Sequence, residues 1–132
     1  MSSDDIKSEV IIYWLEKADE SIEAARDEFK ANRYTFAVNR AYYSCFYAFS
    51  AVLLKEGHKF SKHTGVRSAL HHQFVKTGRI PIELGRFYDL LFDSRQKADY
   101  QELAQFKREE VEELLSNTAV FINKMKKLLN NS

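Results

Sequence analysis

The chain has 132 residues, of which 45% are apolar, 30% charged and 14% aromatic. This length fits one domain, 1–132, with a core large enough to fold without disulfide or metal support, and the single cysteine, Cys45, excludes a disulfide framework. Twenty basic against nineteen acidic side chains give a net charge of +1, so a nucleic acid would have to be held by a local site rather than by the overall field.

The sequence shows neither a membrane-spanning segment nor a secretory signal. No apolar run approaches the roughly 20 residues that cross a bilayer. The first five residues are polar and acidic, where a signal peptide would be basic and then apolar. We therefore expect a cytoplasmic protein with no membrane partner.

The first half of the chain predicts two long helices, because it contains neither glycine nor proline before Gly57. From Asp5 to Lys30 the apolar residues recur at steps of three and four, which is typical of an amphipathic helix. After a short break at 31–33, a second helix is predicted from about Tyr34 to Glu56, with Gly57 suited to its end.

The second half predicts three further helices. Residues 55–64 are polar and basic and predict a loop, and a shorter third helix over 64–77 ends at Gly78. Pro81 fits the first turn of a fourth helix. The pattern lapses between 93 and 102, which predicts an irregular stretch, and resumes in a last helix over roughly 105–129. The predicted fold is an all-α, up-down bundle of three long helices and two shorter ones.

The second helix carries apolar residues on every face between Phe36 and Leu54. A helix of this kind is buried on every side, whereas a bundle this small normally leaves one face in water. We therefore expect a homodimer through the second helix. The alternative is a central helix wrapped by the other helices of one chain. In either case the hydroxyls of Tyr42, Tyr43 and Tyr47 need hydrogen-bond partners where they are buried.

Arg40 lies within this apolar helix, next to Asn39. A buried arginine keeps its charge, and its desolvation costs several kcal/mol, so it requires an acid or a bound anion. One interpretation is a structural ion pair with Asp99. The other is a phosphate site that includes Asn39 and Tyr43, since Arg40 and Tyr43 share a helix face.

The loop before the third helix adds further positive charge, from Lys62 and His63. The free N–H groups at a helix start also favour an anion, although a solvated loop is an equally simple interpretation. Together with Arg40 and Arg95, these residues predict a positive pocket for the phosphate of a nucleotide or of RNA.

The histidines do not predict a metal site. His71 and His72 are adjacent, so on a helix they diverge by about 100°. No acidic residue lies between Gly57 and Arg79 to complete a ligand set. We expect neither a metal nor another cofactor, and Cys45 is predicted to be a small core residue.

Five short segments, in this order, resemble the HEPN (higher eukaryote and prokaryote nucleotide-binding) domain: NRAYYSCFYA at 39–48, LL at 53–54, KHTGV at 62–66, FVKTG at 74–78 and RQKADY at 95–100. The resemblance is greatest to small stand-alone prokaryotic members and covers most of the chain. It implies a helical bundle, usually dimeric, that binds nucleotide or RNA phosphate. It also implies pairing with a minimal nucleotidyltransferase in a toxin–antitoxin-type pair.

Many HEPN proteins are metal-independent ribonucleases, whose signature is an arginine, a polar residue and, after a short spacer, a histidine. In this chain Arg95 and Gln96 begin such a segment, but no histidine follows. The resemblance therefore leaves two alternatives to simple binding: an endoribonuclease in which Arg95 acts with Asp99 or Tyr100, and a non-catalytic helical adaptor. It further implies Tyr100 as a hydroxyl that the partner could adenylylate.

A second arginine and histidine match the spacing of that signature. Arg67 and His72 have four residues between them, but they lie in the predicted third helix, away from the family's motif position. Such a pair also arises often by chance.

Overall fold

The computed structural model describes residues 2–58, 62–100 and 105–130, and for Tyr100 the backbone alone. The regular elements within these ranges are all helical. They are α1 (Ser3–Lys30), α2 (Tyr34–Lys55), α3 (His63–Ala69), a π-helical segment (Leu70–Val75) that continues α3, α4 (Ile82–Tyr100) and α5 (Arg108–Asn130). The all-α prediction is confirmed.

Several helix ends coincide with residues that suit them. At the start of α1, the Ser2 hydroxyl accepts from the Asp5 backbone N–H, and the Asp5 carboxylate accepts from that of Ser2. Gly57 follows α2 and Gly78 follows the π segment, both with a φ of 82° that glycine adopts without strain. Glycine therefore terminates both segments where the sequence predicts it.

The fourth helix is longer than the sequence predicts. The expected irregular stretch from 93 is helical through Tyr100, so the bundle has four long helices rather than three. Phe92 and Arg95 are buried on the side of α4 that faces α2, and Asp99 follows Arg95 one turn later. Because a charged pair occupies positions where apolar residues are expected, the hydrophobic pattern lapses although the helix continues.

The second helix lies at the centre of the bundle, packed against α1, α4 and α5. Its buried residues lie on most sides of the helix: Ala37, Val38, Ala41, Tyr42, Ser44, Cys45, Ala48, Phe49, Ala51, Val52 and Leu53. Phe36 remains 60% exposed, and Tyr43, Phe46 and Tyr47 are half-buried. One chain thus covers most of α2, as the wrapped alternative expects. The homodimer through this helix stays a prediction.

Candidate anion-binding site

Arg95 is a buried cation in the bundle core, with only 7% of its surface exposed. Its guanidinium carbon lies 4.8 Å from the ring centre of Tyr42, 5.8 Å from that of Tyr43 and 5.9 Å from that of Phe92. Cation–π contacts of this kind contribute roughly 1 kcal/mol each, which offsets part of the desolvation cost of the charge. The electron-rich ring faces therefore hold a guanidinium at the boundary between α2 and α4.

Asp99 joins the ends of two helices at this site. One carboxylate oxygen lies 3.3 Å from a terminal nitrogen of Arg95, and Asn39 donates to the other across 3.0 Å. The Asp99 side chain is 26% exposed. The Asp99 carboxylate is thus the partner of Arg95. Burial lowers the pKa of Arg95, but Asp99, Tyr43 and Tyr42 together raise it by more, so that the pKa lies above its ordinary value.

The predicted buried pair between Arg40 and Asp99 is wrong. Arg40 is exposed to solvent, and among the described residues no carboxylate lies against it. Successive helix residues point about 100° apart, so Asn39 is turned towards α4 while its neighbour Arg40 is turned into water. A solvated guanidinium needs no buried partner, so Arg40 does not take the role that the sequence predicts for it.

His63 is the first residue of α3 and lies against the aromatic side of α2. Its ring stacks on Phe46 with centroids 4.4 Å apart, and meets Tyr43 edge-on at 5.8 Å. Its Nδ1 atom is 2.7 Å from the Tyr42 hydroxyl. Partial burial, and then the positive charge of Arg95, lower the pKa of His63 below its usual 6.5, so the imidazole is neutral at pH 7.

Tyr42 is the residue of this site that sequence reasoning did not select. It is fully buried, its ring lies under Arg95, and its hydroxyl contacts His63. Burial raises the pKa of Tyr42, so the phenol keeps its proton. The available signal was the need of a buried tyrosine hydroxyl for a partner, but the partner lies 21 residues along the chain.

The remaining residues that the sequence predicts for the site are Lys62, Tyr43 and Tyr100. Lys62 is exposed next to His63, and Tyr43 is half-buried between His63 and Arg95. The side chain of Tyr100 lies outside the described residues, although its backbone ends α4. The structure therefore brings Asn39, Tyr43, His63, Arg95 and Asp99 into one cluster.

The second arginine–histidine pair does not form a comparable cluster. Arg67 lies 4.2 Å over the Phe92 ring and faces Asp89 and Asp93 at 4.0 and 3.9 Å. His72 is exposed, whereas its neighbour His71 contacts Asp89 across 2.9 Å. These contacts attach α3 and the π segment to α4.

Two other kinds of feature are absent from the same ranges. Within 2–58, 62–100 and 105–130, no three His, Cys, Asp or Glu side chains are grouped as a metal site would require. Nor does any helix there combine the length and apolar character needed to cross a bilayer.

The cluster has the chemistry of an anion site. Arg95 supplies a permanent charge in a poorly hydrated setting, and its Nε atom is buried without a hydrogen-bond partner among the described residues. His63 adds an imidazole that becomes a second cation on protonation. The Asp99 carboxylate contacts Arg95 and accepts a hydrogen bond from the Asn39 amide.

Comparison with known proteins identifies related chains. The HEPN domain model matches residues 11–128. A UPF0332 protein of Thermotoga maritima is 42% identical over 123 residues, which is 93% of each chain. A Methanocaldococcus jannaschii protein named "Putative toxin MJ0142" is 39% identical over 115 residues, 87% of this chain and 78% of the relative.

A solved structure shares the fold. The protein TT1696 from Thermus thermophilus superimposes with a TM-score of 0.76 over 89% of this chain and 97% of that chain, at 18% sequence identity. The match extends the agreement from sequence to helix arrangement. Since the family model and both relatives span most of the sequence, the chain belongs to the HEPN domain family.

Proposed function

We propose that this HEPN protein binds the phosphate group of a nucleotide or of RNA at the cluster formed by Arg95 and His63. The observation that carries the proposal is the setting of Arg95, a residue only 7% exposed, whose guanidinium lies over three aromatic rings and, within the described residues, has Asp99 as its carboxylate partner. His63 supplies a second group that can donate to the same anion.

The chemistry of the two groups favours phosphate among common anions. A guanidinium offers several N–H donors in a plane and matches two phosphate oxygens at once. In a poorly hydrated site its attraction for an anion is much stronger than in water. A phosphate would also favour protonation of His63, so that a dianionic ligand meets two positive charges.

Binding of a nucleoside 5′-monophosphate tests the proposal. We expect Arg95→Met, which keeps the length of the side chain and removes its charge, to weaken binding by roughly tenfold or more in a calorimetric titration. Arg86→Met is the matched control, because Arg86 is an exposed residue of the same helix, half a turn away in angle from Arg95. Equal affinity in the two variants would contradict the proposed site.

We also propose a toxin-like role in a pair with a minimal nucleotidyltransferase. Two relatives from Methanocaldococcus jannaschii, 39% and 34% identical to this chain, have the word toxin in their names. The nucleotidyltransferase partner is what the resemblance to HEPN proteins implies. We expect a nucleotidyltransferase gene beside the gene of this chain. Expression of this chain alone should arrest growth, and coexpression of that nucleotidyltransferase should relieve the arrest. Adenylylation of Tyr100 would appear as an added adenylyl mass on its peptide. Normal growth, and no complex with that protein, would contradict the role.

Phosphodiester cleavage is a second candidate, favoured by the position of His63. The imidazole that the 95–102 segment lacks is supplied from α3, next to Arg95 and with a lowered pKa. Asp99 is a weaker base candidate, because Arg95 and Asn39 already hold its carboxylate. RNA degraded in EDTA by the wild type, but left intact by His63→Gln, would favour cleavage over binding alone.

A further inference from the structure

Tyr42 contacts both groups that are proposed to bind the anion, the Arg95 guanidinium and the His63 imidazole. Its ring carries the Arg95 guanidinium at 4.8 Å, and its hydroxyl oxygen lies 2.7 Å from Nδ1 of His63. The residue is fully buried, and Phe92 packs edge-on against its ring at 5.8 Å. Neither the hydroxyl nor the imidazole can turn far without losing these contacts.

The hydrogen bond between Tyr42 and His63 has two alternative forms. In the first, the phenol donates to an unprotonated Nδ1, and the imidazole hydrogen is on Nε2. In the second, Nδ1–H donates to the phenol oxygen, and Nε2 is unprotonated. The first form makes Nε2 a donor towards a ligand, and the second makes it a proton acceptor. The tautomer of His63 therefore decides whether its Nε2 atom donates a hydrogen bond to a ligand or accepts a proton from it.

The surroundings favour the first form. A phenol is a strong donor and a weak acceptor, whereas the bare nitrogen of a neutral imidazole is a strong acceptor. Burial keeps Tyr42 protonated, and burial together with Arg95 keeps His63 neutral. The titratable or charged groups that face the imidazole are Arg95 from α4 and Tyr42 and Tyr43 from α2, with Lys62 next to it in the chain. No carboxylate among the described residues faces Nδ1 in place of the phenol.

We propose that Tyr42 is a positioning residue that donates to Nδ1 of His63 and fixes the Nε2–H tautomer. His63 then presents Nε2–H as a hydrogen-bond donor. This donor and the Arg95 guanidinium are both suited to bind phosphate oxygens. The inference rests on the proposed function for the identity of the ligand, but the tautomer is a property of the free protein. It also ranks binding above cleavage, because a neutral Nε2–H imidazole does not accept a proton at that atom.

Ligand binding would reverse the direction of the same hydrogen bond. When a phosphate dianion favours the imidazolium, the added proton resides on Nδ1, and the Tyr42 oxygen must accept instead of donate. A hydroxyl can do both by rotating about its C–O bond. Tyr42 therefore holds the imidazole in place in the free and in the bound state.

Long-range ¹H–¹⁵N correlation spectra of the free protein test the tautomer, with the His63 signals assigned from a His63→Gln variant. We expect the Nε2–H form in the wild type, and a shift of the tautomer ratio by roughly fivefold or more towards Nδ1–H in Tyr42→Phe. Tyr47→Phe is the control, because it removes a hydroxyl from the same helix at a ring that packs on Trp14 and Phe46 and that, within the described residues, does not meet the His63 imidazole. It should leave the ratio unchanged.

Two results would overturn the inference: a wild-type His63 in the Nδ1–H form, or an unchanged ratio in Tyr42→Phe. The first needs no variant, so the test stands even where Tyr42→Phe fails to fold. Titration with a nucleoside 5′-monophosphate then separates this inference from the proposed function. A shifted tautomer supports the role of Tyr42 whether or not the ligand binds, and absence of binding to the wild type refutes the proposed function alone.

Discussion

At the scale of single residues, the site depends on the contrast between two arginines. Arg95 occupies a position of α4 where the helix pattern favours an apolar residue. It is nevertheless buried, with its guanidinium over aromatic ring faces and paired with Asp99. Arg40 is in an apolar sequence context, yet it is exposed. Burial of a charge is therefore decided by helix phase and by the partner on the opposing helix, and not by the hydrophobicity of sequence neighbours.

If Asp99 and a bound anion compete for Arg95, replacement of Asp99 should strengthen the effect of the anion. We expect Asp99→Asn to lower the free energy of unfolding by about 1 to 2 kcal/mol, because Arg95 loses its charged partner. Phosphate should then raise the melting temperature of this variant more than that of the wild type, since it replaces the missing charge.

Thermal unfolding with and without phosphate, at constant ionic strength, measures the effect of Asp99→Asn. Glu83→Gln removes the same charge from an exposed position in the first turn of α4, where no ion pair is formed within the described residues, and should change neither value appreciably. An equal effect of phosphate on the wild type and on Asp99→Asn would show that the carboxylate does not compete for the site.

The lowered pKa of His63 gives a second prediction at this scale. Above about pH 6.5 the imidazole is neutral in both states, and its contribution to stability is fully present. As the pH falls below that value, the unfolded chain takes up a proton first, so the free energy of unfolding decreases until the folded pKa is reached. Urea denaturation between pH 7.5 and 5 should show a steeper loss in the wild type than in His63→Gln. Parallel curves would refute the shift.

At the scale of elements, the distance between His63 and Arg95 is set by how α3 and the π segment lie on α4. Arg67 faces Asp89 and Asp93, and His71 contacts Asp89 across 2.9 Å. Gly85 allows this close approach, because a Cβ atom there would lie 2.8 Å from Val75 and 3.2 Å from His71. The segment that carries His63 is thus fixed to the helix that carries Arg95.

The variant Gly85→Ala tests this attachment. Alanine favours a helix interior over glycine by about 1 kcal/mol, but its Cβ atom would lie 2.8 Å from the Val75 side chain, which must shift, and we expect the π segment to move with it. We expect a net loss of stability of about 1 to 3 kcal/mol and weaker phosphate binding, because His63 moves with its segment. Calorimetric unfolding gives the first value, and Gln96→Ala, at an exposed position of α4, is the control. An unchanged melting temperature would show that the approach is not tight.

The element scale also shows where sequence reasoning succeeds. Helix ends at Gly57 and Gly78 were predicted because a positive φ selects glycine, and α1 because its apolar spacing is regular. The end of α4 was missed because Arg95 and Asp99 interrupt the apolar pattern without interrupting the helix. Local patterns therefore gave the elements more reliably than their charged ends.

The site could be predicted only in part. The sequence identifies five candidates by their chemistry, and the structure brings them together: Asn39, Tyr43, His63, Arg95 and Asp99. The partners of Asp99 could not be predicted. Asn39 and Arg40 are adjacent, and only the exact rotation of α2 decides which of the two faces α4. Tyr42 was missed because a buried tyrosine looks like any other core aromatic until its distant partner is known.

At the scale of the whole molecule, the near-zero net charge makes binding depend on a local site. A charge of +1 provides no long-range attraction for a polyanion, so affinity has to come from Arg95, His63 and their immediate surroundings. The central position of α2 serves this end, because it presents Asn39, Tyr42 and Tyr43 to α3 and α4 at once.

The pKa of His63, measured by NMR titration with and without a saturating nucleoside 5′-monophosphate, tests phosphate binding at this cluster most directly. In the free protein we expect a value below 6.5, and in the complex a rise of roughly one unit or more, because a phosphate beside the imidazole favours its charged form. The rise should be lost in Arg95→Met and kept in Arg86→Met. An unchanged His63 pKa at saturation would contradict a phosphate site at Arg95 and His63.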